Sequence, residues 1–235
     1  MIDNAFQSAG DPRGGYWFNF SPREDEIQHE FCGEHNIAGA TCPNCKKPLL
    51  RLLSLNAEDP VLNLDRSKTP VVHLFYCWTC ALPYGKFNYK INPDGSVELL
   101  NVLDSYEWAF GADGPYDGYT GSFPLLKVSL KLQSGFEQEK LAARFAANSG
   151  GGSYDEFWEP RHQVGGYPFI ANPEKLNCPI CSKEMPTLAA ICDSAVDNNP
   201  WRDDFANTFA GNGGGQMVFQ FCRECFVVSS YQSND

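Results

Sequence analysis

Eight cysteines stand in four Cys-x-x-Cys pairs, Cys42/Cys45, Cys77/Cys80, Cys178/Cys181 and Cys222/Cys225, and each half of the chain carries two of the pairs. The first half reads "CPNC", 31 residues and "CWTC"; the second reads "CPIC", 40 residues and "CREC". In both halves a Pro follows the leading cysteine and a Lys closely follows the second one (Lys46 and Lys47; Lys183). An apolar run comes next, "LLRLLSL" from Leu49 and "MPTLAAI" from Met185. The second pair is approached alike, by "VVHLFYC" and "MVFQFC", and left alike, by "ALPYGKFNYKI" and "FVVSSYQ". This is an internal duplication.

Two cysteines at i and i+3 on a tight turn offer both sulfurs to one ion, and two such turns brought together by a hairpin complete a tetrahedral four-cysteine site of the zinc-ribbon kind. The expected ligands are therefore all eight paired cysteines, holding two zinc ions, although four thiolates suit iron as well. Closing such a site contributes on the order of 10 kcal/mol to a small unit. Four thiolates leave no position for water, so these ions are expected to hold structure and do no chemistry. The pairs can join within each repeat or, if the repeats exchange strands, Cys42/Cys45 can meet Cys222/Cys225. A redox-active CxxC fits less well, because no thioredoxin-like βαβ pattern surrounds any pair.

The opening "MIDNAFQSAGDPRGG" lacks the basic start and apolar run of a secretion signal, and no stretch approaches the roughly 18 apolar residues of a membrane span. The expectation is a soluble, cytoplasmic protein with no membrane partner, in which the eight paired cysteines of the ten serve metal rather than disulfides. A formal charge of −11 repels a phosphate backbone and argues against nucleic acid as a partner. Eight thiolates add eight negative charges and two divalent ions return four positive ones, which deepens the charge to −15.

Strand patterns dominate: "GKFNYKI" alternates Phe87, Tyr89 and Ile91; "SVELLNV" follows a turn at "NPDG"; "LLKVSLKL" alternates Leu126, Val128, Leu130 and Leu132. One helix is expected after Ser134, whose "SGFE" has capping-box spacing to Glu137, ending at Asn148 with Leu141 and Phe145 inward. The fold class expected is α+β, mainly β, with two sheet units each carrying a four-cysteine, zinc-ribbon-like knuckle. "NSGGGS" from Asn148 divides the chain into a first repeat with its N-terminal extension and helix, residues 1–148, and a second repeat, residues 149–235. Neither this stretch nor "GNGGGQ" has the GK[ST] ending of a phosphate loop.

The second repeat carries an insertion, "NNPWRDDFANTFAG", in which Trp201, Phe205 and Phe209 recur every four residues after Pro200. That is a short helix with an aromatic stripe, which packs either on its own sheet or on a partner. Catalytic candidates are sparse. His29, His35, His73 and His162 are scattered, and His73 reads as a core or edge residue. Cys32 and His35 have ligand-like spacing without a second pair, so Cys32 reads as an unliganded thiol and Cys192 as a small core residue. Asp113 and Asp117 in "GADGPYDGYTG" lack EF-hand spacing.

From His162 to Tyr231 the order "QVGGYP", "CPIC", "MPTLAAICD", "MVFQFCREC" resembles the motif series of programmed cell death protein 2 and its relatives, and more loosely the bacterial YwqG-like proteins. Gly165, Gly166 and Pro168 match the turn of those families, Leu188 to Asp193 the strand, and Phe221 and Cys222 the closing element. Ile37 to Ile91 is a fainter copy. The chain departs at Ala190, where the family strand usually has Gln. The resemblance implies an α+β duplicated fold. For the eukaryotic relatives it implies a dedicated chaperone of a newly made ribosomal protein; for YwqG-like proteins, some of which occur beside toxin genes, it implies no known chemistry.

These readings converge on a non-enzymatic, zinc-stapled module that binds a basic protein client, chaperone-like or of immunity type, through its acidic surface and the insertion bearing Trp201, Phe205 and Phe209. The alternative is an enzyme or small-ligand binder with a site between the repeats, lined for example by Asp113, Asp117 or His162.

Overall fold

The computed structural model describes residues 11–43, 45–77, 87–102, 122–148, 161–167, 174–192 and 216–233. Along the chain these form β1 (Asp11–Asn19), β2 (His29–Phe31), β3 (Leu50–Asn56), β4 (Val71–Tyr76), β5 (Phe87–Ile91), β6 (Val97–Val102), β7 (Leu126–Leu132), α1 (Gly135–Asn148), β8 (Gln163–Gly166), β9 (Thr187–Cys192), β10 (Gln216–Cys222) and β11 (Val227–Ser233). The fold is mainly β, as the alternating and apolar runs require. β3, β9 and β10 read as near-continuous apolar segments because both of their faces are covered.

All the strands join one antiparallel sheet in the order β4-β3-β2-β7-β1-β8-β9-β10-β11-β5-β6. The duplication is visible about the pair β7 and β1. Outward from β7 run β2, β3 and β4; outward from β1 run β8, β9 and β10. Strands on either side of residue 148 thus pair directly, β1 with β8 and β5 with β11. They share one main apolar core, in which Phe31, Leu52, Phe75, Tyr89, Phe219 and Phe221 meet. The linker-like stretch 149–153 lies outside the described residues.

The sheet curls until β4 lies against β5 and β11, and side chains rather than a ladder close the seam. The buried Tyr89 hydroxyl accepts from the Phe75 amide at 2.9 Å and donates to the His73 carbonyl at 3.0 Å. Tyr76 donates to Gln232 Oε1 at 2.9 Å. An edge strand is stabilised here without a partner strand, since a buried unpaired backbone group costs about as much as a lost hydrogen bond. Tyr89→Phe is accordingly expected to cost about 1–3 kcal/mol and to speed exchange of the Phe75 amide; unchanged exchange there would show that the seam is held by packing alone.

The helix is capped as its sequence requires. Ser134 Oγ accepts from the Glu137 amide at 3.2 Å, and Glu137 Oε2 accepts from the Ser134 amide at 2.7 Å. The other oxygen of Glu137 accepts from Trp17 Nε1 at 3.1 Å, which ties the cap to β1. Leu141 is buried as expected; the side chain of Phe145 lies outside the described part of the helix. Leu132 is not buried: at 58% exposed it closes β7 outside the alternation of Val128, because the strand gives way there to the turn into the helix. Ala190 sits buried in β9 between its register partners Gln163 and Val218, so a small side chain fills that place.

Candidate metal centres

The leading turn of each repeat is built by the same hydrogen bonds. The Cys42 amide donates to Lys47 O at 2.8 Å, and the Lys46 amide returns to Cys42 O at 3.1 Å; in the second repeat the Cys178 amide donates to Lys183 O and the Ser182 amide to Cys178 O, both at 2.8 Å. The residue after the second cysteine turns left-handed in each, Lys46 at φ 62° and Ser182 at φ 60°. That reversal puts both sulfurs on the inside of the turn. Flanking contacts match as well, Leu49 N to Ala40 O and Met185 N to Leu176 O, each 2.9 Å. The turn after β10 repeats the device, with Phe226 at φ 56° and its amide on Cys222 O at 2.8 Å.

These turns gather the thiols into two clusters, Cys178, Cys181, Cys222 and Cys225 in one and Cys42, Cys45 and Cys77 in the other, each with its sulfurs all within 4.8 Å of one another. Cys181 and Cys222 are 3.7 Å apart, and Cys45 and Cys77 3.6 Å. Tetrahedral ligation at zinc–sulfur bonds of about 2.3 Å puts sulfurs about 3.8 Å apart, whereas a disulfide draws them to about 2.05 Å. The spacing therefore suits a shared ion. Cysteines of the same repeat meet, so the exchange of pairs across repeats does not occur. Cys80 lies outside the described residues.

Electrostatics point the same way. The Lys183 amide holds the Cys181 thiol below its ordinary value, while burial pushes Cys222 up. Four sulfurs in one small volume cannot all ionise unless a cation joins them. Across the second cluster Lys183 Nζ meets Glu224 Oε1 at 2.5 Å, joining its two turns, and Met185 and Val227 pack beside it.

The structure also relates two histidines that look unrelated in sequence. His29 and His162 each accept, at Nδ1, the amide of the last residue of the neighbouring strand, Asn56 of β3 at 3.0 Å and Cys192 of β9 at 3.2 Å. Each is followed by two left-handed residues, Cys32 and Gly33 at φ 60° and 93°, Gly165 and Gly166 at 64°. The shared spacing of "HEFCG" and "HQVGG" carries this signal, weakly. Gly166 cannot be replaced cheaply, because a Cβ there would come 2.6 Å from the Gly15 Cα of β1.

His29 meets Asp59 Oδ2 at 3.0 Å. His162 is wholly buried, with the rings of Phe31, Phe18 and Phe20 at 4.9, 5.5 and 5.9 Å, so it lines no open cleft. Burial pushes its imidazole down to about 3. Since the unfolded value is about 6.5, the unfolded state takes up the proton first. The contribution is complete above that pH and is lost as pH falls towards 3. Stability should therefore drop by about 2 kcal/mol between about pH 7 and pH 5. His162→Gln, which can still accept the Cys192 amide, should flatten this limb in denaturant titrations; an equally steep limb would assign the loss to other groups, such as His73, which burial pushes down to about 4.

His35 spends both nitrogens on backbone, with Nε2 at 2.6 Å from Leu49 O and Nδ1 accepting from the Ile37 amide at 3.3 Å. It does not join Cys32, whose thiol burial pushes up. His73 lies on edge strand β4 with Ser54 Oγ at 2.8 Å. Cys192 is a core residue, its sulfur 3.0 Å from Arg161 O. Trp201, Phe205, Phe209, Asp113, Asp117 and Pro168 lie outside the described residues. No helix among the described residues is long and apolar enough to cross a membrane. Set against known protein families, curated proteins and solved structures, the chain matches none of them.

Proposed function

We propose that each cysteine cluster holds one structural zinc ion, with Cys80 as the fourth ligand of the first, and that the protein is a non-enzymatic interaction module for a basic protein client. The observation that carries this reading is the four-sulfur set of Cys178, Cys181, Cys222 and Cys225, all within 4.8 Å of one another. A closed four-thiolate site leaves an ion no open position for water or substrate, so the metal braces the fold. Iron would satisfy the same ligands, and metal analysis with visible absorption separates the two.

The client reading rests on charge. A net −11, deepened by eight thiolates, draws a basic partner and repels nucleic acid. The resemblance to programmed cell death protein 2 and the YwqG-like proteins supports a chaperone-like or immunity role, in a cytoplasm reducing enough to keep the thiols on metal. Trp201, Phe205 and Phe209 are the proposed contact surface.

The test is affinity capture from native lysate with the metal-loaded chain and a Trp201→Ala/Phe205→Ala variant of equal metal content. One basic protein, retained by the intact chain at low salt, released at high salt and missed by the variant, is the expected result. The absence of any stoichiometric partner would sink the client reading while leaving the metal centres standing.

A further inference from the structure

The second cluster reaches into the other repeat. The turn between Cys222 and Cys225 consists of Arg223 and Glu224, and both grip the β3–β4 loop, far away in sequence. Arg223 Nη1 donates to the Leu62 carbonyl and, at 3.2 Å, to that of Asn63. Lys68 of the same loop donates to Glu224 O at 2.9 Å and lies 5.4 Å from the centre of the Phe226 ring. The loop has two apolar anchors, Leu62, buried, and Leu64, half-buried against the main core, while Val61 is exposed. It is also fastened by Asp59, which caps the 3-10 turn Pro60–Leu62 through Val61 N at 3.1 Å and meets the buried His29, and at its base by the Ala57 amide on the Pro70 carbonyl at 2.9 Å.

The geometry points to a metal-dependent clasp: the ion at Cys178, Cys181, Cys222 and Cys225 fixes the Arg223–Glu224 turn, and that turn orders residues 59–68 of the other repeat. The clasp rests on the metal reading above and adds a consequence to it, namely that loading one centre changes the surface of the repeat that carries the other. The physical reason is that a Cys-x-x-Cys turn without its ion loses the restraint that orients the residues inside it. Carbonyls held by a guanidinium bind only while that side chain is aimed at them. A loop with few buried apolar contacts opens locally once such bonds go.

Hydrogen exchange by mass spectrometry on the metal-loaded full chain tests this, with metal content measured alongside. In Cys178→Ser/Cys181→Ser, one metal equivalent should be lost and amides 61–68 should exchange about tenfold faster or more, while the β1–β7 pair keeps its protection. In Arg223→Ala/Lys68→Ala the metal should stay at two equivalents and the same amides should exchange faster by a similar factor. If the cysteine variant loses protection everywhere, the clasp variant decides. Unchanged exchange at 61–68 in the clasp variant, or in a cysteine variant shown to have lost its ion, overturns the clasp. A wild-type chain without metal at the second centre would overturn the metal reading first.

Discussion

Replacing Cys178 and Cys181 by serine is expected to remove one equivalent of metal and to lower stability by on the order of 5 kcal/mol. A closed thiolate site can contribute more than that to a small unit, but the main apolar core here lies outside the second cluster and survives its loss. What remains after the substitution is unfavourable in its own right. Cys222 is nearly fully buried and would stand beside serine hydroxyls, with no cation to offset an ionised sulfur. The measurement is metal analysis together with guanidinium unfolding. Cys32→Gly is the contrast: Cys32 adopts φ 60°, as does its counterpart Gly165 at φ 64°, so the change removes a buried thiol without straining the backbone or touching either centre. If the serine variant kept its full metal, or lost less than about 1 kcal/mol, the second cluster would not be a structural centre.

Phe31→Ala should be nearly as damaging, at about 3–5 kcal/mol. Phe31 is fully buried and meets Phe18 and Phe20 edge to face, both at 5.5 Å, with His162 at 4.9 Å. Its strand, β2, is three residues long, yet it joins β3 to β7 and so connects β3 and β4 to the β7–β1 pair. The cavity would open where Phe18 of β1 and Phe20 just beyond it face His162 just before β8, and these rings, fixed on two separate segments, cannot all move in. Phe31→Leu, which keeps most of the volume, should cost about 1–2 kcal/mol. Water entering beside His162 should also raise that imidazole towards its ordinary value, which an NMR titration would detect. A loss below about 1.5 kcal/mol for the alanine variant would mean that this junction is loosely packed.

The features legible from the chain alone are those written within a few consecutive residues. A Cys-x-x-Cys turn carries its own geometry, because the reversing residue and both ligands lie within one span. That is why the repeated "CPNC" and "CPIC" yield matching hydrogen bonds. The Ser134–Glu137 cap is similarly local, and the apolar runs of β3, β9 and β10 announce strands through composition. Charge, too, belongs to the sequence. Less regular strands carry no such mark: β1 begins through "DPRGG", and β8 is four residues ending in two glycines, so neither shows an alternating pattern of useful length.

The tertiary structure alone decided which strands became neighbours. That β1 lies between β7 and β8, and that β5 pairs with β11 while Tyr89 closes the seam to β4, depends on matching surfaces distant in sequence. The same holds for His29 and His162, whose likeness lies in the strand ends they bind, and for Arg223, whose acceptors are backbone carbonyls of Leu62 and Asn63. A residue that bonds a distant backbone needs no particular partner side chain, so the contact leaves no mark in the sequence of that partner. Local turns were therefore determined by adjacent residues, whereas the joining of the two repeats was determined by burial of a shared core, which only the folded chain brings together.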